Sequence, residues 1–145
     1  MINLRQSDLK LLETLGRELA RTPTVDGIVL RVHRALRPVS RSTEVRLVVA
    51  EKPGRWREWR SRDETVTVHS HKQSPAPPPR GVLVPFDPES PEQGFVWMQG
   101  SSPRGVQALR LIAPHIGTAV ALLTGVSDAH RSVLRDRQLS RERFL

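Results

Sequence analysis

The chain reads as an α+β domain: a mostly antiparallel five-stranded sheet packed against N- and C-terminal helices. Three observations predict this. Leucines recur at three- and four-residue steps near the start, and five short β-branched or alternating stretches fall between residues 43 and 100. A second apolar stripe at helical spacing then runs on from Leu109. Helices at both ends of a run of strands belong to layered α+β architectures rather than to alternating parallel ones.

Each element has its own signal. Over residues 2–21, Leu4, Leu11, Leu12, Leu15 and Leu19 alternate with charged residues, as an amphipathic helix requires. Pro23 restricts Thr22 and stops it. A second helix starts after Thr24 as N-cap, with Asp26 in its first turn, and is expected to end at Pro38. "TEVRLVVAE" (43–51) is β-branched and almost wholly apolar, which predicts an interior strand. After the Pro53-Gly54 turn signal, "RWREWRS" puts Trp56, Glu58 and Arg60 on one side and Arg57 and Trp59 on the other. "ETVTVHS" aims Val66 and Val68 at one face. The tract "SPAPPP" follows, then "GVLVPFD" and "GFVWMQG", two strands joined by the acidic loop "DPESPEQ". Ser102 as N-cap and Pro103 at the first helical position open the last helix. Pro114 is expected to bend it, and Gly125 with Ser127-Asp128 to interrupt it. If helical throughout, the 42 residues from Arg104 would span about 63 Å.

Composition excludes several classes. With 145 residues the chain suits one domain with a modest core. No cysteine is present, which removes disulfides, thiol catalysis and thiolate metal sites together. The start has no uninterrupted apolar stretch, and "IGTAVALLTGV" is too short to cross a bilayer, so a cytoplasmic protein without membrane contact is expected. Net charge is +8, carried mostly by arginine. Between Arg31 and Arg62 ten basic residues face only Glu44, Glu51 and Glu58. That excess would attract polyanions or acidic partners at low salt.

Three stretches carry a resemblance. "LLETLGRELARTPTVDGIVLRVHRALRPV", "GVLVPFDPESPEQGFVWMQG" and "RGVQALRLIAPHIGTAVALL" resemble the opening helices, late strand pair and closing helix of a GAF domain, the sensory module of bacterial signalling proteins. The resemblance implies an N-terminal helix (1–22), a GAF-like domain (23–126) and a C-terminal signalling-type helix (127–145). Ligand-binding GAF domains devote several dozen residues to closing over a pocket, whereas fewer than twenty lie here between Arg62 and Arg80. Their cyclic-nucleotide motif residues and chromophore-attaching cysteine are also absent. A small-molecule site needs a cavity of roughly 300–1,000 Å³, so the expectation is no conventional buried ligand and no cofactor, with at most a shallow groove. The closing "RQLSRERFL" resembles the helix before the phosphoacceptor region of sensor histidine kinases.

What the resemblance leaves as a working surface is the terminal helices, which in this family often pair across a dimer. Leu4, Leu11, Leu12, Leu15, Leu19, Leu109, Ile112, Ile116, Val120, Leu123 and Val126 are therefore the expected dimer-interface residues. The expected partners are a second copy and a protein or output domain, histidine-kinase-like or transcriptional. The alternatives are a nucleic-acid-binding surface built on Arg55, Arg57, Arg60 and Arg62, or a small-molecule sensor with a shallow pocket. For the interleaved Arg and Trp residues, packing under neighbouring helices is favoured over base stacking. His69 and His71 share a strand face but lack further ligands, so no metal is expected. His33 and His130 are expected to face solvent, and His115 to lie on a helix surface or interface. Asp87, Glu89 and Glu92 read as a solvated turn. No nucleophile elbow, phosphate-cradling glycine loop or zinc-protease motif occurs, and no catalysis is expected.

Overall fold

The computed structural model describes residues 4–52, 54–100 and 102–124. Their order is α1 (Gln6–Arg21), α2 (Val25–Ser40), β1 (Glu44–Lys52), β2 (Arg55–Arg62), β3 (Thr65–His71), β4 (Gly81–Pro85), β5 (Gly94–Gln99) and α3 (Pro103–Thr124). A 3₁₀ turn, Pro91–Gln93, lies between β4 and β5. The five strands form one sheet in the order β3-β2-β1-β5-β4, and every neighbouring pair is antiparallel. The α+β expectation therefore stands, with the interior strand where the apolar run 43–51 placed it.

Strand alternation divides the sheet into two faces. Val45, Leu47 and Val49 of β1, Trp59 of β2, and Val96 and Met98 of β5 point inward and are nearly inaccessible. They join the helices in one hydrophobic core. Within it, α2 and α3 lie on the sheet and α1 packs against both of them on the side away from it. Leu12, Leu15 and Leu19 of α1 share this core with Ile28, Val32 and Leu36 of α2 and with Leu109, Ile112 and Ile116 of α3. Burying each such side chain contributes about 1.5–3 kcal/mol. The N-terminal helix is thus integral to the domain core.

Local chemistry fixes the helix ends. Thr24 Oγ1 accepts from Gly27 N at 3.0 Å, the expected cap of α2. That helix does not end at Pro38 but runs two residues further, to Ser40. Proline in a last turn forfeits only its own bond to the carbonyl four residues back. The turn closes regardless, with Ser40 Oγ donating to Leu36 O at 2.7 Å and Arg41 N to Arg37 O at 2.8 Å. At α3, Ser102 Oγ accepts from Gly105 N at 2.9 Å as expected, and it also donates to Val39 O, tying the helix start to the end of α2. The helix continues on both sides of Pro114. The interruption expected near Gly125 and the helix expected over 127–145 lie outside the described residues.

Two contacts set the direction of α1 against α3. Asp8 receives a two-pronged ion pair from Arg104, Nε to Oδ2 and Nη2 to Oδ1, both at 2.6 Å. Two turns further along α1, the backbone of Gly16 lies beside the His115 ring, three turns along α3 from Arg104. The two helices therefore run parallel. Asp8 also accepts from Arg5 N at 3.0 Å, capping α1. The hydrogen bonds from Arg104 and from this backbone N–H bring its carboxyl down to about 2.

Candidate functional site

Opposite the helix layer, the sheet presents a second face with a different chemistry. The register sets Arg46 between Arg60 and Trp97, and Val48 between Glu58 and Phe95. Trp56, Val48, Phe95 and Trp97 make a small apolar cluster there. Beside them Glu58 is only 1% exposed. Arg60 Nε donates to its Oε1 at 2.8 Å, His71 Nε2 lies 3.2 Å from the same oxygen, and Arg46 Nη1 reaches Oε2 at 3.5 Å. Burial opposes ionisation of Glu58, but the hydrogen bonds from Arg60 and His71 and the charges of Arg60 and Arg46 outweigh it. The carboxyl is held below the ordinary glutamate range. Arg46 is fixed further by Glu44 Oε2, at 2.9 Å, and by the Trp97 ring, whose centroid lies 5.1 Å from its guanidinium carbon.

The proline-rich connector between β3 and β4 meets this face at one end. Pro78, Pro79 and Arg80 line a cleft together with Arg46, Trp97, Thr43 and Arg62. Its volume is about 450 Å³, and it opens to solvent. Gly81 allows the close approach: a Cβ there would sit 2.5 Å from the Trp97 Nε1 and 2.6 Å from the Met98 carbonyl. The cleft is an open trough rather than a closed chamber.

The four arginines expected to form one basic surface are divided. Strand alternation puts Arg55 and Arg57 on one side of β2 and Arg60 and Arg62 on the other. Arg57 and Arg55 both approach Glu51, at 2.9 and 3.9 Å, and Arg60 is paired with Glu58. Arg57 also lies over Trp59, 5.7 Å from its centroid. Trp59 itself is 4% exposed and belongs to the core, as the packing reading holds. Among the four, only Arg62 has no ion-pair partner among the described residues.

The histidines fall differently from expectation in one case. His33 is buried, not solvent-facing. Its Nε2 lies 3.0 Å from the Ser42 carbonyl, which can only accept, so Nε2 carries the proton. Nδ1 then accepts from Ser61 Oγ at 2.8 Å. Ser61 is 0% exposed and His33 1%, so this pair, although at nucleophile–base distance, is sealed from any substrate. It satisfies polar groups between α2 and β2. Periodicity alone does not reveal it, because His33 sits between Val32 and Arg34 at the margin of the apolar stripe. His69 bonds Thr67 Oγ1 at 3.1 Å, and no group of three metal-ligating side chains occurs among the described residues.

The expected interface residues are mostly occupied within the chain. Leu12, Leu15, Leu19, Leu109, Ile112, Ile116 and Val120 are in its own core. Leu4 and Leu11 are half-buried, Leu123 is 39% exposed, and Val126 lies outside the described residues. On its outer side α3 presents Leu111, His115, Thr118 and Leu122, a stripe three turns long, with Arg110 and Pro114 exposed along its edge. Leu111 is 44% and Leu122 64% exposed. No acidic residue occurs in α3. With 22 residues and a mean hydropathy of 1.4 over its most apolar 18, α3 is long and apolar enough to cross a membrane by length and composition. Here its opposite face fills the domain core. The exposed stripe is the complement of the one read from the sequence, Leu109-Ile112-Ile116, which lies in the chain's own core.

Compared with protein-family models, with curated proteins and with solved structures, the chain has no match.

Proposed function

We propose that the protein is a non-catalytic, GAF-like regulatory module of the cytoplasm, which pairs with a second copy through the outer face of α3. The paired helices would pass a signal to a partner or output domain. The observation that carries this reading is the exposure of Leu111 and Leu122 on one stripe of a helix with no acidic residue, its one flanking charge being Arg110. Two such stripes set antiparallel would bury both leucines and keep the two copies of Arg110 at opposite ends of the contact. The element order and the pairing of α1 with α3 support the GAF-like part of the reading.

Sedimentation velocity tests it. The protein is expected to sediment as a dimer at micromolar concentration, and the double change Leu111→Glu, Leu122→Glu is expected to give a monomer with unchanged circular dichroism. A wild-type protein that stays monomeric through that range overturns the pairing. Nucleic-acid binding by the arginines of β2 is the weaker reading, since three of them are engaged by Glu51 and Glu58.

A further inference from the structure

The cleft under the proline-rich connector has a composition that the pairing of helices does not use. Its lining carries Arg46, Arg62 and Arg80 against Glu44 and Asp63, a formal excess of one positive charge. Arg46 is already committed to Glu44 and Glu58. Arg62 and Arg80 form no ion pair with any described residue. Two arginines from different elements, one on β2 and one on the connector, therefore border the same trough with no carboxylate at ion-pair distance. The rest of the lining is mixed: Pro78, Pro79 and Trp97 are its apolar part, and Thr43 and Gln99 its uncharged polar part.

We propose that this cleft binds a small organic monocarboxylate, its charge between Arg62 and Arg80 and its apolar body against the two prolines. The planar fork of arginine matches a carboxylate with paired hydrogen bonds. The excess of one positive charge matches a single negative one. A phosphate dianion would exceed it while facing Asp63 and Glu44. The volume, about 450 Å³, lies within the range of small-molecule sites. Gly81 is what permits the site, because any side chain there would push the connector off Trp97 and Met98.

Titration of the full chain with benzoate, benzamide and inorganic phosphate, followed by the indole N–H resonances in two-dimensional NMR, tests the assignment. Benzoate is expected to shift the Trp97 resonance saturably, and neutral benzamide of the same shape to leave it in place. The double change Arg62→Gln, Arg80→Gln should weaken benzoate at least about tenfold, a loss of about 1.4 kcal/mol. Both side chains are exposed, and the remaining resonances report whether that variant keeps its fold. Asp63→Asn removes a competing carboxylate at a left-handed position that asparagine tolerates, and should tighten benzoate. The assignment is overturned by any of three results: no saturable shift with benzoate, equal binding of benzamide or tighter binding of phosphate, or full affinity in the double variant. None of these depends on whether α3 pairs.

Discussion

His33 and Glu58 show what a buried polar side chain does in a core of this size. Each is 1% exposed, and each has its polar atoms matched. No buried side-chain nitrogen or oxygen among the described residues lacks a partner. Removing one member of such a set leaves the others desolvated, which costs about 1–3 kcal/mol. His33→Ala should therefore lower stability by about that much, because the Ser61 hydroxyl and Ser42 carbonyl lose their partner inside the core. Glu58→Gln is expected to cost a similar amount, as Arg60 and Arg46 lose their counter-charge. Urea unfolding followed by tryptophan fluorescence measures both, and a change below about 0.5 kcal/mol in either would contradict the assigned contacts. Neither residue was legible as buried. Alternation placed Glu58 on a face with Trp56 and Arg60, but gave no depth for that face. His33 lies beside the core stripe rather than in it, and its partner Ser61 comes from a strand 28 residues away.

At the scale of elements, the helices and strands were legible because their periodicities are strong and their punctuation is chemical. The spacing Leu12-Leu15-Leu19 can satisfy one face of a helix and nothing else. The same spacing could not say whether that face meets this chain or another. That choice depends on how α1 crosses α2 and α3, and the clip between Asp8 and Arg104 joins residues 96 apart in sequence. Its carboxyl is lowered in the folded chain from the ordinary 3.8 to about 2. A lowered carboxyl favours the fold above its unfolded value, and the advantage is lost as pH falls from about 3.8 towards about 2. Stability should therefore decline across that window, and Asp8→Asn should flatten the decline. Urea midpoints measured at each pH check this, and an unchanged slope in the variant would remove the clip from the account. The tight turn between β2 and β3 belongs at the same scale. Asp63 and Glu64 both hold positive φ, 51° and 63°, as a two-residue hairpin of this hand demands. Glu64 is kept there by Arg34 Nε at 2.7 Å and Arg37 Nη2 at 3.3 Å, both from α2.

For the molecule as a whole, the connector decides which surfaces are free. A bridge this short cannot roof the outer face, yet Pro78–Arg80 comes close enough to border one trough. The close approach depends on the bare backbone at Gly81. Gly81→Ala should destabilise the domain by about 1–3 kcal/mol through overpacking against Trp97 and Met98. It should also displace the Trp97 indole resonance. If the variant matches the wild type in both respects, the connector does not rest where it has been placed. Sequence reading reached the openness of this face from the length of the connector, but could not reach the composition of the trough. Arg62, Arg80 and Trp97 come from three separate stretches and meet only once the sheet order is known.

The parallel course of the outer helix and α3 has a mechanical corollary. Whatever is joined ahead of Gln6 and whatever is joined behind Thr124 leave from opposite poles of the layer. At 1.5 Å per residue, the 22 residues of α3 hold those poles about 33 Å apart. A push delivered at one pole would travel along a strut rather than around a hinge, so two attached bodies would feel each other's rotation without touching.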